Sequence, residues 1–135
     1  MKPKIKILIV DNHSLFRRGL ASFVSSIRNF LLVGEAENGE VALKLIALMK
    51  PDVVVLDIEM PILDGIQTAK KINEYFPLVK VIFLTIYKDK AIQKLLPKLN
   101  VKGYVTKDDF VLEIAQCIEQ VADNKIFISS AIQNN

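Results

Sequence analysis

The chain has no tryptophan, one cysteine and one histidine in 135 residues. Cys117 alone cannot close an intramolecular disulfide, so the fold must rest on burial of apolar surface, and a 51% hydrophobic content over this length is enough for one domain with a real core. No apolar run approaches the roughly 18 residues that a membrane-crossing helix needs, and no secretory leader is recognisable. These absences lead us to expect a cytoplasmic protein with no membrane partner. A dominant charge is also missing: 18 Lys and Arg face 15 Asp and Glu, and the resulting +3 is scattered along the chain rather than gathered into a nucleic-acid surface. Neither GxxxxGK[ST] nor GxGxxG occurs, which removes the loops that cradle a bound nucleotide.

What is present is an alternation of short apolar runs with longer stretches of helical period, the pattern of a parallel sheet wrapped by helices. Strands are expected over 4–10, 31–36, 52–56, 80–84 and 103–106, several with consecutive Val and Ile, as strands buried on both faces require. Between them apolar residues recur at helical spacing: Leu15, Phe16, Gly19, Leu20, Phe23, Val24 and Ile27; Val41, Leu45 and Leu48; Ile66, Ala69 and Ile72; Phe110, Ile114, Ile118 and Val121. The expected fold is α/β, a doubly wound five-stranded parallel sheet with five helices in flavodoxin-like order. Pro97 falls inside the fourth helical pattern, where it removes one backbone hydrogen bond and kinks or ends the helix.

Ligands of such sheets bind outside the carboxyl ends of the strands, so the strand exits carry the chemistry. The first strand exits in ILIVDNH at Asp11 and Asn12, the third in VVVLDIEMP at Asp57, the fourth in VIFLT at Thr85, and the fifth in GYVTK at Lys107. Two carboxylates brought together repel unless a cation lies between them, and hard oxygen ligands on one rim suit Mg²⁺. Lys107 suits an anionic oxygen and the Thr85 hydroxyl a second one, so the rim reads as a site for a phosphoryl group beside a metal. Asp57 can carry that group itself as an aspartyl phosphate. Each residue also has a plainer role. Asp11 or Asn12 is a competent cap for the first helix, Thr85 a β-branched strand end, Lys107 a solvated charge and Tyr104 a packing residue. No chemical role is assigned to His13 or Cys117, and Asp64 and Gly65 in PILDGI are read as a loop and a helix start.

Taken in order, ILIVDNH, VVVLDIEMPILDGI, VIFLT and GYVTK resemble the receiver domains of two-component response regulators, over nearly the whole chain from about Lys4 to about Ile128. The resemblance implies a receiver domain over 1–128, with 129–135 a tail or the start of a linker to an output domain. It implies that Asp57 accepts a phosphoryl group from a histidine kinase or phosphotransfer protein. Mg²⁺ would be held by Asp11, Asn12, Asp57 and the backbone carbonyl of Glu59. Lys107 would neutralise the phosphoryl group, Thr85 would swing toward it, and Tyr104 would follow as the aromatic switch. Such a module catalyses its own phosphorylation and dephosphorylation without being a metabolic enzyme.

VDNH and GYVTKD, with Asp108 where many receivers have proline, look most like regulators with a helix-turn-helix output of the LuxR/NarL type. DNA would then be met only through that output domain, transcription would be the controlled process, and a homodimer on phosphorylation is a further implied partner state. Two positions depart from the family's pattern. Asn12 stands where a second acidic residue is usual, and Ile86, followed by Tyr87, stands where a small residue usually follows Thr85. They suggest the alternative of a pseudo-receiver that binds partners without phosphorylation. A flavin or small-molecule domain of similar architecture is a third reading, against which the missing phosphate cradle counts.

Overall fold

The computed structural model describes residues 3–133. Six strands alternate with the helices: β1 Ile5–Val10, β2 Phe30–Ala36, β3 Val53–Leu56, β4 Lys80–Thr85, β5 Val101–Thr106 and β6 Phe127–Ile128. The helices are α1 Ser14–Ser25, α2 Gly39–Met49, α3 Gly65–Tyr75, α4 Lys90–Leu99, α5 Phe110–Ala122 and α6 Ser130–Gln133. All pairings are parallel and the strand order is β2-β1-β3-β4-β5-β6. This is the flavodoxin-like order, but it corrects the expected five strands and five helices. Two-residue β6 and four-residue α6 are too short to leave a periodic signal in the sequence.

Alternation along the strands sends side chains to two separate cores. Ile7, Ile9, Val53, Val55, Ile82 and Leu84 meet α1 and α5 through Leu20, Val24, Ile114, Cys117 and Ile118. Leu8, Val10, Val54, Leu56 and Phe83 meet α2, α3 and α4 through Ala42, Ile46, Ala69, Ile72 and Leu96. Burial also pushes the Cys117 thiol well up, so it is inert core, pressed against Gly103, where an added Cβ would come within 2.8 Å of its Sγ.

The apolar stripe of α2 differs from the expected one. Ala42 and Ile46 are buried with Gly39, while Val41 is 36% and Leu48 75% exposed. The segment VALKLIALM is apolar nearly all round, so spacing alone leaves two adjacent faces in competition, and the smaller Ala42 wins the close approach to the sheet. In α1, Leu15 is likewise exposed, at 80%. Pro97 does lie inside α4, but in its last turn, and the helix ends three residues later at Asn100, whose left-handed φ of 56° caps it.

Candidate functional site

The strand order reverses between β1 and β3, and there the loops leaving the two strands diverge and open a crevice. Asp11 follows β1 and Asp57 follows β3, so the two carboxylates straddle the reversal. The backbone continues each strand by one bond past its end: Asp11 N–H donates to Ala36 O at 2.9 Å and Asp57 N–H to Val10 O at 2.9 Å. Arg17 on α1 donates to Asp11 O at 2.7 Å and pairs with Glu35 at 3.1 Å, which pins the β1 exit.

Lys107, directly after β5, reaches across to both acids. Its Nζ lies 2.7 Å from Asp11 Oδ2 and 3.3 Å from Asp57 Oδ2, and 4.5 Å from the centroid of Phe16. Asp11 Oδ1 accepts the His13 N–H and Asp57 Oδ1 the Ile58 N–H, both at 2.8 Å. Asp11 and Asp57 are only 2% and 7% exposed. One ammonium thus faces two desolvated carboxylates. Burial pushes the Asp57 carboxyl above its ordinary range, Lys107 pulls it back, and the Asp11 charge pushes it further up. The site as it stands favours an added cation.

A cleft of about 530 Å³ opens over these groups, lined by Asn12, Asp57, Glu59, Ile86, Tyr87 and Lys107 among others. Asn12 is exposed on its wall. Thr85 ends β4 fully buried, its Oγ1 accepting the Tyr87 N–H at 3.2 Å. Tyr104 is also fully buried; its hydroxyl donates to Tyr87 O at 2.5 Å and accepts the Asp89 N–H at 3.3 Å. Burial pushes its phenol up. Tyr104 and Thr85 are therefore joined through one loop residue, Tyr87. The Tyr87 hydroxyl in turn donates to the Glu59 carboxylate across the cleft, and that hydrogen bond pushes its phenol up.

The structure brings Asp11, Asp57 and Lys107 into direct contact and places Asn12 and Glu59 on the same cleft. It adds residues that sequence reasoning missed. Tyr87 was noted only for following Ile86, yet it contacts both sides of the cleft. Phe16 was read as packing, yet its ring faces the Lys107 ammonium. Ile62, in the loop after β3, carries a φ of 71°, a strained backbone for a β-branched residue. Asp64 caps α3 by accepting the Gln67 N–H at 2.8 Å. Gly65 starts that helix against the Asp57 backbone: its N–H donates to Ile58 O at 2.7 Å, and a Cβ there would lie 2.1 Å from Asp57 O. Gly65→Ala must therefore shift backbone rather than a flexible side chain. We expect a loss of about 3 kcal/mol in urea unfolding, at the upper end of overpacking effects; a loss below about 1 kcal/mol would show that α3 is free to slide.

The structure thus sets two buried acids under one lysine at the strand reversal of a doubly wound parallel sheet. Residues 7–119 match the response regulator receiver domain family, and the chain belongs to it. It is 35% identical over 128 residues to the response regulator GacA of Pseudomonas aeruginosa, covering 95% of this chain and 60% of that protein. It is 30% identical over 132 residues to the transcriptional regulatory protein DegU of Brevibacillus brevis, covering 98% of this chain and 56% of that protein. The chain thus spans less than two thirds of these curated relatives. Among solved structures it is similar to a two-component response regulator of the LuxR family from Aurantimonas, with a TM-score of 0.92, 25% identity and coverage of 97% and 94%. It is also similar to the response regulator domain of Thermotoga maritima CheB, with a TM-score of 0.83, 27% identity and coverage of 89% and 97%. Among the described residues, no helix is long and apolar enough to cross a membrane.

Proposed function

We propose that Asp57 is the phosphoacceptor of this receiver domain and that its phosphorylation is driven by a histidine kinase or phosphotransfer protein. The observation that carries the reading is the Asp11, Lys107 and Asp57 contact at the strand reversal. A carboxylate oxygen of Asp57 forms the new bond to phosphorus as the bond from phosphorus to the donor imidazole breaks, and the imidazole leaves with a proton. Lys107, held against Asp11, offers its ammonium to a phosphoryl oxygen, and the Thr85 hydroxyl is the donor on the neighbouring strand end. When Thr85 turns toward the phosphoryl group it gives up the Tyr87 N–H, and Tyr104, bonded to the same residue, responds. Water attack on the aspartyl phosphate later reverses the modification.

The donor set fits a divalent ion. Two desolvated carboxylates with one ammonium leave an uncompensated negative charge. Mg²⁺ binds through one or two carboxylates and keeps several waters, and the paired Asp11 and Asp57 suit it. Asp11, Asn12, Asp57 and the Glu59 carbonyl would hold it, and when bound it supplies positive charge to the phosphoryl oxygens. The cytoplasm, transcription as the controlled process, a helix-turn-helix output domain that meets DNA, and a homodimer on phosphorylation belong to the same reading; the relatives GacA and DegU support a regulatory context. Asp57 and Asp11 both meet Lys107, and this contact favours phosphorylation over the pseudo-receiver that Asn12 and Ile86 suggest.

Incubation with acetyl phosphate and Mg²⁺ should add one phosphoryl mass to the intact chain, and no Mg²⁺-dependent gain would overturn the proposal. Asn12 allows a finer test, because it offers a neutral amide oxygen where a carboxylate would add charge. Attraction to the doubly charged ion outweighs the added repulsion among the acids. After solvent screening the gain is about 1.4 kcal/mol, or tenfold. Asn12→Asp should therefore bind Mg²⁺ about tenfold tighter in a metal titration; unchanged affinity would remove Asn12 from the metal site.

A further inference from the structure

The segment after α5 is tied to the sheet edge by a two-residue strand and by the residue that follows it. Strand β6 pairs with β5 in parallel, Gly103 opposite Phe127 and Tyr104 opposite Ile128. Ser129 N–H then donates to Tyr104 O at 2.8 Å, and Ser129 is fully buried. The Ser129 hydroxyl donates to Glu113 Oε1 at 2.5 Å, while Ser130 N–H and its hydroxyl donate to Glu113 Oε2 at 3.3 and 3.5 Å. Glu113 lies in the first turn of α5, so a carboxylate of one helix gathers the backbone and hydroxyls that begin α6. Beyond it, Ile132 is only 3% exposed and belongs to the same core cluster as Tyr104, with Ile128 packed against that cluster.

Tyr104 is thus held from two sides. Its ring hydroxyl is bonded to Tyr87 and Asp89 in the loop before α4, and its backbone carbonyl and hydrophobic surroundings involve residues 128–132. We propose that residues 127–133 are a strap, with Glu113 as its catch, whose docking keeps Tyr104 inward, so that the strap and the 87–89 loop open and close as one unit. The coupling must be reciprocal: whatever draws Tyr104 inward tightens the strap, and loosening the strap frees Tyr104. Only its meaning in signalling rests on the proposed role of Tyr104 as a switch; the mechanical link needs no phosphoryl group.

Amide hydrogen exchange on the full unphosphorylated chain tests it, since local opening sets the exchange rate. Hydrogen bonds to a charged acceptor are strong enough that removing this set should raise local opening about tenfold. Glu113→Ala keeps a good helix former in α5, and Ile132→Ala loosens the strap without touching the catch. In both variants, exchange at 128–133 should rise about tenfold and the Tyr87 and Asp89 amides should rise with it, at least threefold, while Val53–Leu56 stays as in the parent. Faster strap exchange with unchanged Tyr87 and Asp89 amides would overturn the coupling. Unchanged strap exchange in Glu113→Ala would overturn the catch. Neither outcome depends on phosphorylation, which the intact-mass experiment judges separately.

Discussion

Replacing Lys107 by alanine is expected to lower the unfolding free energy by about 2–3 kcal/mol at neutral pH and to slow phosphorylation of Asp57 by roughly a hundredfold. Both effects come from the same ammonium. Its side chain is 11% exposed and touches two carboxylates that are 3% and 9% exposed, so its loss leaves two desolvated like charges facing each other. Breaking a fully buried ion pair typically costs about 3–5 kcal/mol. The lower figure applies here because solvent reaches the site through the open cleft. Removal of one preorganised donor from a reacting charge costs about 10²–10³ in rate, and in the proposed reaction Lys107 is such a donor. The loss of stability should shrink as pH falls and the carboxyls protonate. Added Mg²⁺ should restore part of it, since a ligand at a hundred times its Kd contributes about 2.7 kcal/mol. Urea titrations at two pH values, with and without Mg²⁺, check all three statements. A variant as stable as the parent at neutral pH would mean that solvent already compensates the acids.

Asp57→Asn should do the opposite to stability while abolishing phosphoryl gain. Burial holds the folded-state carboxyl above its ordinary value of 3.8. Between those two values the folded chain binds more protons than the unfolded chain, so stability falls as pH rises through this window. Above the folded value the whole destabilisation is present. Asparagine carries no charge to desolvate, its carbonyl can still accept the Ile58 N–H, and Lys107 keeps Asp11 at 2.7 Å. The variant should therefore unfold at higher urea concentration than the parent at pH 7, and the two curves should converge below about pH 3.8. A parent more stable than the variant at neutral pH would show that the Lys107 contact outweighs burial. On this account Asp57 is kept in the sequence at a cost in stability, as residues selected for chemistry often are.

The site's acids and lysine were legible because buried parallel strands write themselves as apolar runs, and the residue that breaks each run stands at a strand exit. VVVL runs straight into Asp57 and ILIV into Asp11 and Asn12, while Lys107 follows the more mixed strand end GYVT. The sheet order then brings those exits together, so a one-dimensional signal was sufficient. Tyr87 was not legible, since its bonds to Glu59, Thr85 and Tyr104 depend on the path of a loop with no period. The face of α2 was misread because apolar residues surround that helix. Strand β6 escaped because two residues cannot show alternation, although Phe127 and Ile128 each pack against a core cluster. Gly65 was rightly read as a helix start, but its tight approach to Asp57 O depends on tertiary packing.

The most direct measurement of the central claim is to locate the phosphoryl group itself. After reaction with acetyl phosphate and Mg²⁺, borohydride reduction converts a phosphorylated aspartate to homoserine, which peptide mass spectrometry assigns to one position. The account predicts conversion at Asp57 alone, absent without Mg²⁺ and absent in Asp57→Asn. Conversion at Asp11 or at any other carboxylate, or a phosphoryl mass that persists in Asp57→Asn, would contradict it.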